Sequence, residues 1–285
     1  MPLKAAESLR DELAEIIRGS KGRVGVALIS PSGDTLTVGD DVFFPLMSVF
    51  KLHQAVALCE VFGQCGTSLD SLVTVNPSEL NRDTWSPVLG HIRDESVKMS
   101  VGELMRASLV FSDNNASNLM FGRLLSSHGT DSVMAALIPR GEFRIEVTEE
   151  EMGHNHMLSK LNRSSAYGVA VLLDRLFADS ILQEPYRQFV KDALYDCATG
   201  ADRIARPLAG IDGLRVAHKT GSGFRDGSGL LTAHNDAACV VLPDGSRYIL
   251  VVLVRDFDGD EAEASAVASS VSAAVYRWLA VGEGD

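Results

Sequence analysis

The sequence predicts an α+β protein in which an antiparallel sheet, built from both ends of the chain and flanked by the terminal helices, packs against an all-helical insertion. Three observations lead there. Strand-and-turn patterns occupy both ends, residues from about 48 to 200 have mostly helical periodicity, and 46% hydrophobic content over 285 residues is enough for a substantial core.

Taken in order, Leu9, Leu13, Ile16 and Ile17 share one face at helical spacing, so residues 4–18 read as an amphipathic helix. A strand pair follows: RVGVALIS, a Pro-Ser-Gly-Asp turn at 31–34, then TLTVG. The helical middle is carried by FKLHQAVALCEVF, SVGELMRASLV, ASNLMFGRLLSSH, SAYGVAVLLDRLF and YRQFVKDALYD. Near the end, GLLTAHNDAACVVL, the turn Pro243-Asp244-Gly245 and RYILVVLVRD read as a hairpin. Val267, Val271, Ala274, Val275 and Trp278 then stripe a final helix, with Trp278 expected in the core. The expected division is a discontinuous α/β subdomain, residues 1–40 and 210–285, and a helical subdomain, 41–209, with a cleft between them.

Composition excludes several classes. No apolar run approaches the roughly 20 residues of a membrane span. With 26 Lys and Arg against 38 Asp and Glu, the formal charge is −12, which repels nucleic acid; attraction of an anionic ligand must be local. Cys59, Cys65, Cys197 and Cys239 have neither zinc spacing nor the density of a disulfide scaffold, and Cys59 reads as a buried free thiol. MPLKAAESLRDELAEIIRG has acids where a signal peptide needs an apolar stretch, so the expectation is an intracellular protein or an export signal outside this sequence. Walker, Gly-x-Gly-x-x-Gly, His-Glu-x-x-His and Gly-x-Ser-x-Gly patterns are missing, against nucleotide binding, zinc peptidases and the usual hydrolase elbow.

In MSVFKLH, at 47–53, Ser48 precedes Lys51 by one helical turn, so both side chains project on one face. A serine hydroxyl attacks only once a base takes its proton. Ser-x-x-Lys recurs by chance, but Ser112-Asp113-Asn114 follows on a helical stretch and Lys219-Thr220-Gly221 follows the strand LRVAH. The conjunction in this order is specific where each motif alone is not. Asp113 reads as a structural tether for the turn around Asn114. Glu149, Glu150 and Glu151 would ordinarily be a solvated acidic face, His154 and His156 surface residues rather than metal ligands, and His218 and His234 packing groups in or beside the cleft.

These motifs, with FPLMSVFKL, TWSPV, FSDNNASNLM, TEEEM, TGADRI, AHKTGSG and NDAACVVLPDG in family order, make the chain resemble the class A serine β-lactamases and their penicillin-binding relatives. The resemblance implies a three-layer fold with a five-stranded antiparallel sheet. It also implies that Ser48 is the nucleophile, with the backbone N–H groups of Ser48 and Ser222 as the oxyanion hole. Lys51 is one candidate base, although neutralising a lysine near pH 7 costs roughly 4 kcal/mol. The other is a loop glutamate acting through a held water, for which Glu149 is favoured over Glu146, Glu150 and Glu151. The asparagine that commonly follows this glutamate by four residues is Gly153 here, whereas Asn155 would restore the spacing if Glu151 were the base.

By the same resemblance Ser112 relays a proton to the departing nitrogen, supported by Lys219, and Asn114 offers its amide to the substrate side chain. Lys219, Thr220, Ser222 and Arg203 meet the substrate carboxylate, and Trp85 stands at the cleft mouth. The arginine and aspartate that often close the family's loop are absent: Val147 and Thr148 precede Glu149, and Asn162 occupies the acid's place. The loop must therefore be held differently. The implied partner is a β-lactam, with no cofactor, metal, nucleic acid or membrane span, in a monomer that acts in the periplasm or is secreted. Two alternatives stay open: a D-Ala-D-Ala peptidase or slowly deacylating relative, and a non-catalytic sensor of the same fold.

Overall fold

A computed structural model describes residues 3–139 and 141–282. Helix α1 (Leu3–Arg18) leads into strands β1 (Arg23–Ile29) and β2 (Thr35–Val38). Helices α2 (Phe50–Cys65), α3 (Val101–Val110), α4 (Asn114–Arg123), α5 (Ser127–Leu137), α6 (Glu149–His154), α7 (Ala166–Phe177) and α8 (Tyr186–Tyr195) fill the middle. Strands β3 (Arg215–Ser222), β4 (His234–Val241) and β5 (Arg247–Arg255) and helix α9 (Glu261–Gly282) follow. The sheet order is β2-β1-β5-β4-β3, antiparallel throughout, so strands from both ends of the chain meet at β1 and β5.

Helices cover both faces of this sheet, which explains why its strands look continuously apolar. In β5, Tyr248, Leu250, Val252 and Val254 join the core that holds Leu9 and Leu13 of α1 and Val271, Ala274 and Val275 of α9. The alternate residues Ile249, Val251 and Leu253 face the second core, with α2 and α7. At about 25 cal/mol per Å² of apolar surface removed from water, these two faces anchor the fold.

Helix α2 is buried nearly all round, as a helix without a polar face must be. It ends at Gly66, whose φ of 68° is the left-handed stop that a side chain would oppose. Side-chain caps start five of the other helices of the middle: Ser100 for α3, Asp113 for α4, Ser126 for α5, Thr148 for α6 and Ser165 for α7.

Three expectations need correction. The middle is not purely helical: Leu72–Val75 pairs with Val97–Ser100, and the two-residue strands at Phe44, Phe143 and Arg163 form a small ladder. Strands this short leave no readable periodicity. The run ASNLMFGRLLSSH breaks after Arg123, because the Ser126 hydroxyl accepts the Gly129 N–H and starts α5. Trp278 packs against the core but is only partly buried.

Candidate active site

Ser48 lies on the single 3-10 turn Met47–Val49 that feeds α2. Two interactions press this turn against the sheet. Asn235, buried in β4, donates from Nδ2 to the carbonyls of Pro45 (2.7 Å) and Leu46 (3.1 Å) and accepts the Val254 N–H at 3.0 Å. Gly221 of β3 then approaches so closely that a Cβ there would strike the Leu46 carbonyl and stand 3.1 Å from the Ser48 and Val49 nitrogens. Met47 is forced to φ 45°, a conformation costing on the order of 1–3 kcal/mol, so the nucleophile sits on a strained turn.

Lys51, in the first turn of α2, is fully buried and points at four acceptors. These are Ser48 Oγ (3.1 Å), Ser112 O (2.8 Å), Asn114 Oδ1 (2.6 Å) and Glu149 Oε1 (2.9 Å). Burial pushes its pKa down and Glu149 opposes that push. Four acceptors, one of them a carboxylate, suit an ammonium.

Ser112 is not helical as expected. It occupies the junction between α3 and α4 at φ 59°, which turns its hydroxyl to Lys219 Nζ at 3.0 Å and 3.5 Å from Lys51 Nζ. Asp113 fixes this junction, accepting hydrogen bonds from Ser86 Oγ and from the backbone N–H groups of Val88, Leu89 and Ala116. Asn114 spans the cleft wall, with Nδ2 donating to Thr84 Oγ1 at 2.8 Å. Lys219 is fully buried, and desolvation lowers its pKa to about 7.

The loop carrying the acids separates the four candidates. Glu149 Oε1 accepts the Ser48 hydroxyl at 3.3 Å as well as Lys51. Glu151 is occupied in a capping box: its carboxylate accepts Thr148 N–H (2.8 Å) and Oγ1–H (3.0 Å) while Thr148 Oγ1 accepts the Glu151 N–H. Glu150 is exposed, its N–H held by Asn118 at 3.0 Å, and Glu146 lies 3.9 Å from Arg163 at the surface. Asn155 caps the following turn by accepting the Met157 N–H at 3.1 Å. Gly153 borders the cleft, and a Cβ there would meet nothing within 4 Å. Asn162 replaces the missing ion pair: Oδ1 accepts the N–H groups of Glu146 (2.8 Å) and Val147 (3.0 Å), and Nδ2 donates to Val147 O at 2.8 Å.

Ser48, Ser112, Asn114, Glu149, Thr220, Ser222, Arg203 and Trp85 all line one cleft of about 660 Å³, with Lys51 and Lys219 beneath it. Arg203 reaches the β3 edge despite its displaced place in the sequence, donating to Ser222 Oγ (2.6 Å) and Asn235 O (2.6 Å). Trp85 is 62% exposed and anchored by its indole N–H to Phe111 O at 3.0 Å, leaving a ring face at the mouth. Across the cleft His156 packs against Phe224 with ring centroids 4.1 Å apart and the planes tilted by 34°. Thr199, which sequence reasoning missed, meets Thr220 Oγ1 at 2.6 Å. Asn235 was missed too, although a polar Asn-Asp pair inside the apolar run of β4 is a signal for buried hydrogen-bonding work.

Among the described residues no helix is long and apolar enough to cross a membrane. The family model for the β-lactamase enzyme family matches residues 8–279. A β-lactamase of Phocaeicola vulgatus is 44% identical over 271 residues, 95% of this chain and 84% of the relative. The extended-spectrum β-lactamase PER-1 of Pseudomonas aeruginosa is 27% identical, covering 95% and 87%. The solved structure of a representative class A β-lactamase from Bacteroides cellulosilyticus superposes with a TM-score of 0.90 at 28% identity, over 96% of this chain and 98% of that one. With a serine, two buried lysines and a loop carboxylate gathered in one cleft, and with these relatives spanning nearly its whole length, the chain belongs to the β-lactamase enzyme family as a class A serine β-lactamase.

Proposed function

We propose that the protein hydrolyses penicillins and cephalosporins through an ester on Ser48, and that Glu149 activates the water that releases it. The reading rests on one observation: Glu149 Oε1 is within 3.3 Å of the Ser48 hydroxyl and 2.9 Å of Lys51 Nζ, while Glu151 is bound in its own helix cap. In acylation the Ser48 proton passes toward Glu149, with Lys51 holding both oxygens, and the serine oxygen adds to the lactam carbonyl. The backbone N–H groups of Ser48 and Ser222 face the charge that develops on the carbonyl oxygen; one such donor is worth about 10²–10³ in rate. Ser112, between the two lysines, hands its proton to the departing nitrogen and is resupplied through Lys51 with the proton held on Glu149, so Glu149 is a carboxylate again. Glu149 then takes a proton from water as that water attacks the ester, and Ser48 leaves protonated.

Lys219, Thr220, Ser222 and Arg203 receive the substrate carboxylate, a local positive edge on a chain of net −12. An arriving carboxylate favours the ammonium form of Lys219. Asn114 faces the substrate side-chain amide and Trp85 packs on the bound molecule. Residues 1–40 with 210–285 form one subdomain and 41–209 the other, with one face of the sheet, including Ala27, Ala237 and Val251, packed into the core of the helical one. The enzyme works as a monomer in the periplasm or outside the cell, where its substrates arrive.

A second reading, a peptidase-like or slowly deacylating acyl-enzyme former, is favoured by Gly153, which gives the loop no side chain to hold the water. Mixing the protein with a penicillin and following both drug loss and intact mass decides between them. Many turnovers with little adduct support hydrolysis. A stable adduct supports the second reading, and neither signal removes both.

A further inference from the structure

Asn235, Ala237 and Cys239 alternate on one face of β4, and the last two belong to the core beneath that face. Asn235 is just as buried, yet it carries an amide. Packing alone would be served by an apolar residue, and a buried amide is costly unless its hydrogen bonds are made. All of them are made, and none is an ordinary ladder bond. Both Nδ2 hydrogens are used, on Pro45 O at 2.7 Å and Leu46 O at 3.1 Å. Oδ1 accepts the Val254 N–H at 3.0 Å, just past Asp236 and Val252, the last pair of the β4–β5 ladder.

The two carbonyls that the amide grips come directly before Met47, whose φ of 45° persists only if its surroundings impose it. Leu46 is the junction. Its carbonyl also accepts the Val49 N–H at 3.1 Å, closing the turn over Ser48, and its N–H donates at 2.8 Å to the carbonyl of Asn162, whose amide clamps the loop of Glu149. Gly221 stands opposite Asn235 in the β3–β4 pair, so the amide and the glycine address one turn from neighbouring strands. We propose, on the reading of Ser48 as the nucleophile, that Asn235 is a positioning residue for acylation. Its amide sets the Ser48 hydroxyl and the Ser48 N–H against β3 and, through Leu46 and Asn162, holds them in register with Glu149.

The backbone of the same residue serves another end. Asn235 O accepts Arg203 Nη1 at 2.6 Å, while Nη2 reaches Ser222 Oγ at 2.6 Å. The edge that receives the substrate carboxylate is therefore tied to the main chain of β4, and the nucleophile turn to the side chain. Replacing the side chain should spare binding and impair bond making. A displacement of a reacting group by about 1 Å can cost about 10² in rate.

The test is acylation of Asn235→Ala and Asn235→Asp by a penicillin, followed by stopped flow over a range of drug concentrations, with a thermal melt of each variant. Ala removes all three side-chain bonds, whereas Asp keeps the acceptor for Val254 and, as a carboxylate, lacks both donors to the turn. The maximal acylation rate should fall by about 10²-fold or more in both, with the half-saturating concentration within about threefold of the parent. Affinity for a phenylboronic acid, which bonds to the serine oxygen as a tetrahedral adduct, should fall in parallel. A folded Asn235→Asp that acylates at the parental rate overturns the assignment, as does a raised half-saturating concentration at an unchanged maximal rate. Failure of both variants to fold would give the amide to the sheet and overturn it as well. A parent that forms no Ser48 adduct with either probe removes the nucleophile itself, a result distinct from all of these.

Discussion

Asn162 grips the backbone of Val147 from both sides, accepting its N–H at 3.0 Å and donating to its carbonyl at 2.8 Å, two residues before Glu149. A third bond, from the Glu146 N–H at 2.8 Å, makes this amide the clamp that sets where the carboxylate points. Removing it leaves buried backbone groups unpaired. Asn162→Ala should lower stability by about 1–3 kcal/mol, read from urea midpoints, and slow deacylation more than acylation. Asn162→Asp keeps both accepted bonds and loses only the donor, so it should fall between Ala and the parent. Equal stability of all three would show that the loop is held elsewhere.

Gly153 borders the cleft with open space where its side chain would be, and it lies in a helical turn that an asparagine can adopt. Gly153→Asn should therefore keep stability within about 0.5 kcal/mol. If the loop lacks only a water-holding amide, single-turnover measurements should show faster deacylation with acylation unchanged. Slower deacylation would mean that the added amide displaces the water instead of holding it.

The sequence made much of this site legible because three short motifs each carry a chemical need: a hydroxyl one turn from a lysine, a hydroxyl in a tight junction, and a lysine ahead of a glycine that lets backbones touch. The sheet was legible at both ends because turn residues separate its strands. Less legible was whatever depends on local competition for hydrogen bonds. Glu149 and Glu151 are chemically identical letters, and only the capping box of Thr148 takes one of them away from the cleft. Likewise Ser112 was read as helical, yet its left-handed φ is imposed by Asp113 bonding to Ser86, Val88 and Leu89, more than twenty residues back. Arg203 was placed by a motif whose spacing is shifted, and the fold brings it to Ser222 all the same.

Gly221 allows β3 to lie against the nucleophile turn, so a side chain there must push the Ser48 nitrogen away. Gly221→Val should reduce kcat/KM for a penicillin by about 10²–10³ or more through loss of oxyanion geometry. Circular dichroism and thermal melting establish that the variant is folded. A folded Gly221→Val with parental activity would place the oxyanion hole elsewhere.

His53 is enclosed by α2 and the Phe143 ring, and neither ring nitrogen has a hydrogen-bond partner among the described residues. Burial pushes its pKa from 6.5 down to about 4, with a smaller opposing effect from the Val49 backbone. A histidine lowered in the folded state contributes stability above its unfolded pKa, and that contribution is lost as pH falls from 6.5 through about 4. The loss is about 3 kcal/mol for His53. His234, lowered to about 4 mainly by burial, acts in the same direction. His218, raised to about 10 by Asp236, acts on the other limb, where stability falls as pH rises through that value. Urea midpoints at a series of pH values should show His53→Leu flattening the acid limb alone; an unchanged acid limb would mean that His53 is already protonated in the folded protein.

The most direct measurement is the intact mass of Glu149→Gln and Glu151→Gln after mixing with a penicillin. The account predicts that Glu149→Gln, in which buried Lys51 loses the carboxylate that keeps it charged and can itself take the Ser48 proton, still acylates, accumulates one covalent adduct on Ser48 and loses turnover by about 10³ or more. Glu151→Gln should hydrolyse the drug at close to the parental rate, with only a weakened helix cap. Accumulation in Glu151→Gln, with free enzyme and sustained turnover in Glu149→Gln, would contradict it.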